Sequence, residues 1–269
     1  NFDLKAYKEL FETHIINLEN IDLSKICNRY QIVKQKIESM LLNLPHIGDE
    51  LPAKWVDIRN ELNLIAEKHG LAVIEDGAQS FGATYKGKQS CNLTKISTTS
   101  FFPSKPLGCY GDGGAIFTND DELAQKIRWI RVHGQDKRYH HAVLGINGRL
   151  DTLQAGILLS KMRIFASEVV LRAQVAQRYD ELFKDSECVT PYLASGNTSV
   201  YAQYTLLVKD RDGLIKHLTA NNIPTAVHYP IPLHKQPIFA ENYHGQDLSV
   251  SEKTAAQVIS LPMHPYLDH

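Results

Sequence analysis

The sequence predicts an α/β fold, and three observations carry that prediction. Leu71-Ala-Val-Ile74 is an unbroken apolar run that ends on Glu75 and Asp76, the pattern of a strand covered on both faces with acids at its carboxyl end. Thr99-Ser-Phe-Phe102 and Ala115-Ile-Phe-Thr118 are two further strand-like runs, separated by a turn rich in proline and glycine. Helical spacing fills the intervals: Asp120–Val132 places acids in its first turn and Leu123, Ile127 and Ile130 on one face.

Taken in order, Asn60–His69 reads as a helix stopped at Gly70. It feeds the Leu71–Ile74 strand, and Phe81–Gly87 follows as a short strand and turn. Asp151 sits at the N-cap of a helix to about Met162, and Ser167–Phe183 reads as a second helix joining two domains. Val200–Val208 alternates as a strand, Asp212–Asn221 as a helix and Pro224–Pro230 as a returning strand, which together make a small α/β domain. A helix from Ser251 to Ile259 and the tail SLPMHPYL close the chain. Residues 1–62 stand apart as a mostly helical segment, with Ile32, Ile37, Met40, Leu41 and Leu44 at helical intervals.

Composition sets the class. A chain of 269 residues, 43% hydrophobic and 22% charged, can bury a sizeable core. A formal net charge of −1 marks no surface for nucleic acid or anionic membrane. No apolar run approaches the roughly 20 residues of a membrane span. The opening Asn-Phe-Asp-Leu-Lys has neither a charged leader nor an apolar core, so no signal peptide is expected. Cys27, Cys91, Cys109 and Cys188 are dispersed without a CxxC pair, which favours reduced thiols in a cytoplasmic protein. Cys109 reads as a small packing residue.

Lys105 lies on a loop between Pro103 and Pro106. Two prolines leave that backbone little freedom, so the amine is held. An amine becomes a nucleophile when it is partly desolvated or set beside other cations. A lysine fixed between two strands therefore suits a Schiff-base role, and a surface lysine in a turn is the alternative. Asp76, at a strand's carboxyl end, sits where open α/β sheets bind ligands. It could keep a pyridinium nitrogen protonated or simply cap the next turn. His133, His140 and His141 cluster without a carboxylate or cysteine at ligand spacing, so no metal site is expected.

Six motifs occur in one order from about Asn63 to the end: EDGAQSFGATYKGK, TSFFPSKPLGCYGDGG, RVHGQDKRYHH, GINGRLDTLQAGIL, TAVHYPIPLHKQP and SLPMHPYL. In them the chain resembles the DegT/DnrJ/EryC1/StrS family of sugar-nucleotide aminotransferases, which use pyridoxal phosphate (PLP). The resemblance implies the PLP-dependent transferase fold of type I, aspartate-aminotransferase-like, with a three-layer sheet. Residues 63–185 would be a cofactor-binding portion and 186–269 a small, truncated C-terminal domain. It also implies a homodimer with shared active sites, at work in O-antigen or other surface polysaccharide synthesis.

Residue by residue, the resemblance makes Lys105 the Schiff-base lysine and proton shuttle. Asp76 would pair with the pyridine nitrogen, Gln79 would lie against the ring or its hydroxyl, and Ser100 would bond the cofactor phosphate. Asn147 would reach that phosphate in a neighbouring subunit, with Arg149 close to substrate, while His228 and Tyr229 would line the sugar-nucleotide side. Sugar dehydratases of the family carry histidine at the lysine position, so Lys105 argues against that branch. The substrates implied are glutamate and a UDP-linked keto sugar, most like 3-oxo-N-acetylglucosaminuronate.

The family's beginning is longer, and it supplies sheet strands and a glycine turn for the cofactor phosphate. In residues 1–62 the only glycine is Gly48, beside Asp49, and a carboxylate there would repel a phosphate. The N-terminal part is therefore expected to be missing or replaced, as in a fusion, a truncation or a misassembled reading frame. The alternative function is an inactive remnant that folds or self-associates without binding PLP.

Overall fold

The structure is a computed structural model, and it describes residues 58–242, 245 and 247–267. The expectations for the stretch before Ile58 lie outside the described residues. Helix α1 (Ile58–His69) carries Lys68 and His69 in its last turn, where cations suit the helix dipole. It stops at Gly70, whose φ of 62° is the left-handed cap conformation. The amides of Leu71 and Gly70 return to the carbonyls of Ala66 and Glu67 at 2.8 and 3.2 Å, which is a Schellman ending.

The chain divides after Val73, and Ile74–His269 forms the larger unit. Its sheet runs in the order β1 (Ile74–Asp76), β4 (Ile96–Ser100), β5 (Gly114–Thr118), with a small hairpin of β2 (Thr84–Tyr85) and β3 (Lys88–Gln89) inserted between β1 and β4. β1 lies parallel to β4 with Asp76 opposite Thr98, and β5 returns antiparallel to β4, from Ile96 opposite Thr118 to Ser100 opposite Gly114. The expected strand from Leu71 to Ile74, buried on both faces, is corrected here. The strand begins only at Ile74, and Ile74 is 61% exposed. β1 is an edge strand with one neighbour, so its apolar side chains lack a second layer among the described residues.

Helix α2 (Asp121–Ile130) follows β5 and is capped by Asp120, whose Oδ1 accepts the Leu123 amide at 3.0 Å. The Lys95 ammonium, 2.8 Å from Asp120, holds that carboxyl below the usual carboxylate range. The histidine-rich segment forms a hairpin of β6 (Gln135–Lys137) and β7 (His140–His141). Helix α3 (Thr152–Phe183) is one continuous helix of 32 residues, where two were expected. The segment between them, Arg163-Ile-Phe-Ala-Ser167, holds neither proline nor glycine, so nothing interrupts the hydrogen-bond ladder.

Beyond α3, β8 (Tyr204–Leu207) pairs antiparallel with β9 (Val258–Leu261), and α4 (Arg211–Ala220) and α5 (Ser249–Gln257) accompany them. The expected helix to Ile259 gives way at Gln257, where Val258 and Ile259 enter the strand. The expected strand Pro224–Pro230 is reduced to one bridge, between Ala226 and Ser260. Its two prolines donate no amide to a ladder. No helix among the described residues is long and apolar enough to cross a membrane.

Two apolar clusters flank α3. Leu158 joins Phe101, Leu107 and Cys109 near the sheet, while Ala176 joins Tyr204, Leu206, Val208, Ile259 and Leu261 in the C-terminal part. In the second cluster Tyr204 is fully buried and donates its O–H to Asp180 Oδ1 at 2.5 Å. Burial and that carboxylate push the Tyr204 phenol far up. Its stabilising contribution is therefore complete below the ordinary phenol titration near pH ~10, and it is lost as pH rises through and beyond it. Replacing Tyr204 by Phe leaves Asp180 without its donor and costs about 1–3 kcal/mol at neutral pH. Urea denaturation followed by circular dichroism measures this, and an unchanged midpoint refutes it.

Candidate active site

The carboxyl ends of β1 and β4 emerge on one edge of the sheet because the two strands are parallel. Asp76 ends β1 and Ser100 ends β4. Gly77 extends the contact past the last paired residues. Its amide donates to Thr98 O at 2.7 Å, and its carbonyl accepts from Thr99 Oγ1 at 3.0 Å. Only glycine fits there, since a Cβ would lie 2.3 Å from Cys91 Sγ.

Neighbouring side chains on a strand point to opposite faces, and this separates the two acids. Glu75 Oε1 accepts the Cys91 amide at 2.7 Å and Ser90 Oγ at 3.1 Å, and its Oε2 accepts the Leu93 amide at 3.0 Å. Glu75 is thus spent on holding the 90–93 loop. Asp76 is exposed, and its Oδ1 accepts the Ala78 amide at 2.9 Å. Its Oδ2 has no partner among the described residues. Gln79 follows, exposed, in the adjoining turn.

Ser100 Oγ accepts the Phe102 amide at 3.2 Å, which leaves its own proton to donate. The chain then turns through Pro103, Lys105 and Pro106, with the Lys105 amide on Phe102 O at 2.9 Å. Gly108 closes the turn against Phe102 and Pro103, whose carbonyl oxygens lie 2.7 and 2.6 Å from where its Cβ would be. Lys105 is half-buried, and its ammonium has no hydrogen bond or ion pair among the described residues. Cys109, fully buried, donates its thiol to Phe101 O at 2.9 Å, and packing is its role, as expected.

Two residues of α3 hold this turn and gave no signal in the sequence. Lys161 Nζ donates to Gly108 O at 2.7 Å and lies 4.9 Å from the centre of the Tyr110 ring. Gln154 Oε1 accepts the Tyr110 amide at 2.7 Å. Their spacing on α3 sets both on one helix face, which was the only clue available.

The remaining predicted residues stand elsewhere. Asn147 and Arg149 are exposed in the segment after the β6–β7 hairpin, which is laced to the end of α2 by the Gly148 amide on Arg131 O at 2.8 Å. His228 and Tyr229 are exposed in the C-terminal part. His228 Nδ1 lies 3.0 Å from Ser260 Oγ, and the Tyr229 ring is edge-on to the imidazole at 5.7 Å. Asp76 and Ser100 thus end β1 and β4 on one sheet edge, with Gln79 and Lys105 in the turns that follow them, and the other four residues lie on separate segments. The hairpin histidines serve the hairpin: His140 Nδ1 lies 2.6 Å from Asp136, and His141 Nδ1 lies 2.7 Å from the His133 carbonyl. His140 holds the Asp136 carboxyl below its ordinary range.

A cavity of about 950 Å³ opens between the sheet and α2. Phe101, Phe117, Ile127, Arg128 and Arg131 are among its lining residues, and none of the eight predicted site residues is. If Gln154 fixes the turn as described, Gln154→Ala releases the Tyr110 amide. Its hydrogen exchange then accelerates about fivefold, the equivalent of one ordinary hydrogen bond. An unchanged exchange rate at Tyr110 refutes the clamp.

Comparison with known proteins places this geometry in a family. Residues 54–269 match the DegT/DnrJ/EryC1/StrS aminotransferase family. The chain is 60% identical over 207 residues to the UDP-2-acetamido-2-deoxy-3-oxo-D-glucuronate aminotransferase of Pseudomonas aeruginosa, covering 77% of this chain and 57% of that protein. It is 47% identical over 207 residues to the pleiotropic regulatory protein of Geobacillus stearothermophilus, covering 76% and 56%. The chain spans little more than half the length of these relatives. Among solved structures, a DegT DnrJ EryC1 StrS aminotransferase from Brucella abortus superposes with a TM-score of 0.75 at 43% identity, over 78% of this chain and 57% of that one. DesV of S. venezuelae, in complex with a ketimine intermediate, gives 0.75 at 36% identity with the same coverage. Ntda from Bacillus subtilis, with bound cofactor PMP, gives 0.69 at 32% identity over 77% and 49%. With its family match, its close relatives and its superposition on these enzymes, the chain belongs to the DegT/DnrJ/EryC1/StrS aminotransferase family and has its PLP-dependent transferase fold of type I.

Proposed function

We propose that this chain carries the lysine-bearing part of a PLP-dependent transamination that moves nitrogen from glutamate to a nucleotide-linked keto sugar. The sugar is a UDP-linked 3-oxo-N-acetylglucosaminuronate, on the strength of the identity with the Pseudomonas enzyme. The setting is cytoplasmic synthesis of O-antigen or another surface polysaccharide. The single observation that carries the reading is the parallel pairing that ends β1 at Asp76 and β4 at Ser100 on one edge, with the Lys105 turn following Ser100.

The residues present fit the cofactor. A carboxylate with a free oxygen suits a ring nitrogen that must stay protonated, a hydroxyl with a free proton suits a phosphate oxygen, and a half-buried amine without a competing partner suits a carbonyl. When bound, pyridoxal phosphate supplies an electron-withdrawing ring that stabilises negative charge on the carbon beside the transferred nitrogen. Asp76 would hold the proton on the ring nitrogen, and Gln79 would lie against the ring or its hydroxyl. Lys105 Nζ would hold the cofactor through its carbonyl carbon and would serve as the base and acid that moves a proton on the substrate carbon.

Asn147 serves the cofactor phosphate of a second copy of the chain, and Arg149 lies close to the substrate. Beside them Tyr139, Leu144 and Ile146 are 78, 80 and 64% exposed, an apolar surface that a homodimer would cover. His228 and Tyr229 serve the nucleotide-sugar side.

One observation favours a second reading, an inactive remnant. Residues 1–62 hold a single glycine, Gly48, beside Asp49, where a carboxylate would repel a cofactor phosphate. One experiment separates the two. Mixed with PLP, the protein develops the visible band of lysine-linked cofactor, which borohydride reduces and fixes to Lys105. Lys105→Ala removes that band and lowers transamination by about a thousandfold or more. A folded chain that binds no PLP supports the remnant, and normal turnover by the Ala variant overturns the mechanism.

A further inference from the structure

We propose that Ser260 is the positioning residue of His228, and that a hydroxyl relay from Thr205 through Ser260 fixes this imidazole as an Nε2–H donor toward ligand. The inference rests on His228 lining the nucleotide-sugar side.

The relay is built on backbone that cannot easily shift. Ser260 lies in β9 opposite Thr205 of β8. On its other side it exchanges two hydrogen bonds with Ala226, at 2.7 and 3.1 Å. It is 3% exposed, so its hydroxyl must find partners within the protein. It has two: Thr205 Oγ1 at 2.8 Å and His228 Nδ1 at 3.0 Å.

Chemistry sets the direction of the chain of bonds. A neutral imidazole nitrogen is a stronger base than a hydroxyl oxygen, so the Ser260 proton goes to Nδ1 and the Thr205 proton goes to Ser260 Oγ. Each bond polarises the next, which favours this single direction over a mixture. With Nδ1 accepting, the neutral ring carries its proton on Nε2. Nδ1 faces a buried serine while His228 as a whole is exposed, so the exposed edge is the one that bears Nε2. The Tyr229 ring stands edge-on to the imidazole at 5.7 Å.

The result is an Nε2–H donor on the neutral ring, aimed outward. Such a donor suits an acceptor oxygen, above all an anionic oxygen of the diphosphate in a nucleotide sugar. The opposite tautomer would present a lone pair to the same oxygen and repel it. Ser260 and Thr205 do this work from behind, without touching ligand.

The tautomer can be read directly. Full-length protein labelled with 15N-histidine gives two-bond proton–nitrogen correlations at alkaline pH, well above an ordinary imidazole titration at about 6.5. His228 is assigned by its loss in His228→Gln. Wild type is expected to show the Nε2–H pattern. Ser260→Ala and Ser260→Cys, whose thiol is a weaker donor, should shift it toward the tautomer mixture of free histidine, and Thr205→Ser should keep it. Ser260→Cys preserves side-chain shape and carries the test should Ser260→Ala fail to fold. UDP is expected to perturb the His228 signals of wild type, with binding about fivefold weaker in both relay variants.

An Nδ1–H pattern in wild type, or a pattern unmoved in both variants, overturns the relay. His228 signals that UDP leaves unmoved overturn its assignment to ligand. Neither result touches the PLP measurement, so failure of the relay and failure of the transamination reading remain distinct.

Discussion

Parallel pairing of Ile74–Asp76 with Ile96–Thr98 is the constraint on which the site depends. It brings a carboxylate and a lysine-bearing turn to one edge although the hairpin of β2 and β3 separates them in sequence. Packing contributes little to holding β1 there. Full burial of an isoleucine is worth about 1.5–3 kcal/mol, and Ile74 at 61% exposed realises only a minor part of it. The hydrogen bonds outweigh this. Glu75 alone accepts three, from Ser90, Cys91 and Leu93, and bonds to a charged group are worth about 1.5–3 kcal/mol each when well shielded. Glu75 is only part-buried, so the lower end applies. The strand end that carries Asp76 is therefore located by polar contacts at its back.

Helix α3 turns this local arrangement into a long-range one. Its first half packs on Phe101, Leu107 and Cys109 and grips the Lys105 turn through Gln154 and Lys161. Its second half carries Arg172, a buried guanidinium that donates to the carbonyls of Tyr201 and Met263 at 3.1 and 3.3 Å. Burial pushes that guanidinium down from its ordinary value. Tyr179 adds a bond from its hydroxyl to Pro262 O at 2.9 Å. One uninterrupted helix thus braces the lysine turn at one end and strands β8 and β9 at the other. A break in the middle, as its sequence suggested, would have uncoupled them.

Legibility in the sequence followed the range of the physics. Lys105 could be placed on a fixed turn because Pro103, Pro106 and Gly108 act within a few residues of it. Asp76 could be placed at a strand end because an apolar run stopped beside it. The exposure of β1 was not legible, since an apolar run carries no mark of whether a second layer covers it. Pro224–Pro230 looked like a strand by composition, yet backbone without donors at its prolines yields one bridge. Gln154, Lys161, Ser260 and Thr205 were missed because each works across a long stretch of chain, where no local pattern records the partner. Glu75 was missed too, although strand alternation sets it on the face opposite Asp76.

The division of labour between two lysines sharpens the point. Lys105 and Lys161 gather around the same turn, and composition cannot say which is structural. Geometry can. Lys161 donates to Gly108 O and sits over the Tyr110 ring, so its charge is satisfied where it stands and moving it would cost those contacts. Lys105 has no such engagement among the described residues, and its backbone is pinned by Pro103, Pro106 and the bond to Phe102 O. A held backbone with an uncommitted amine lowers the cost of forming a covalent bond, because no native contact must break first and the main chain beneath the amine is already fixed. The same turn with the roles reversed would spend its reactive amine on the scaffold. In this turn a satisfied lysine from a distant helix is what allows the local one to stay free.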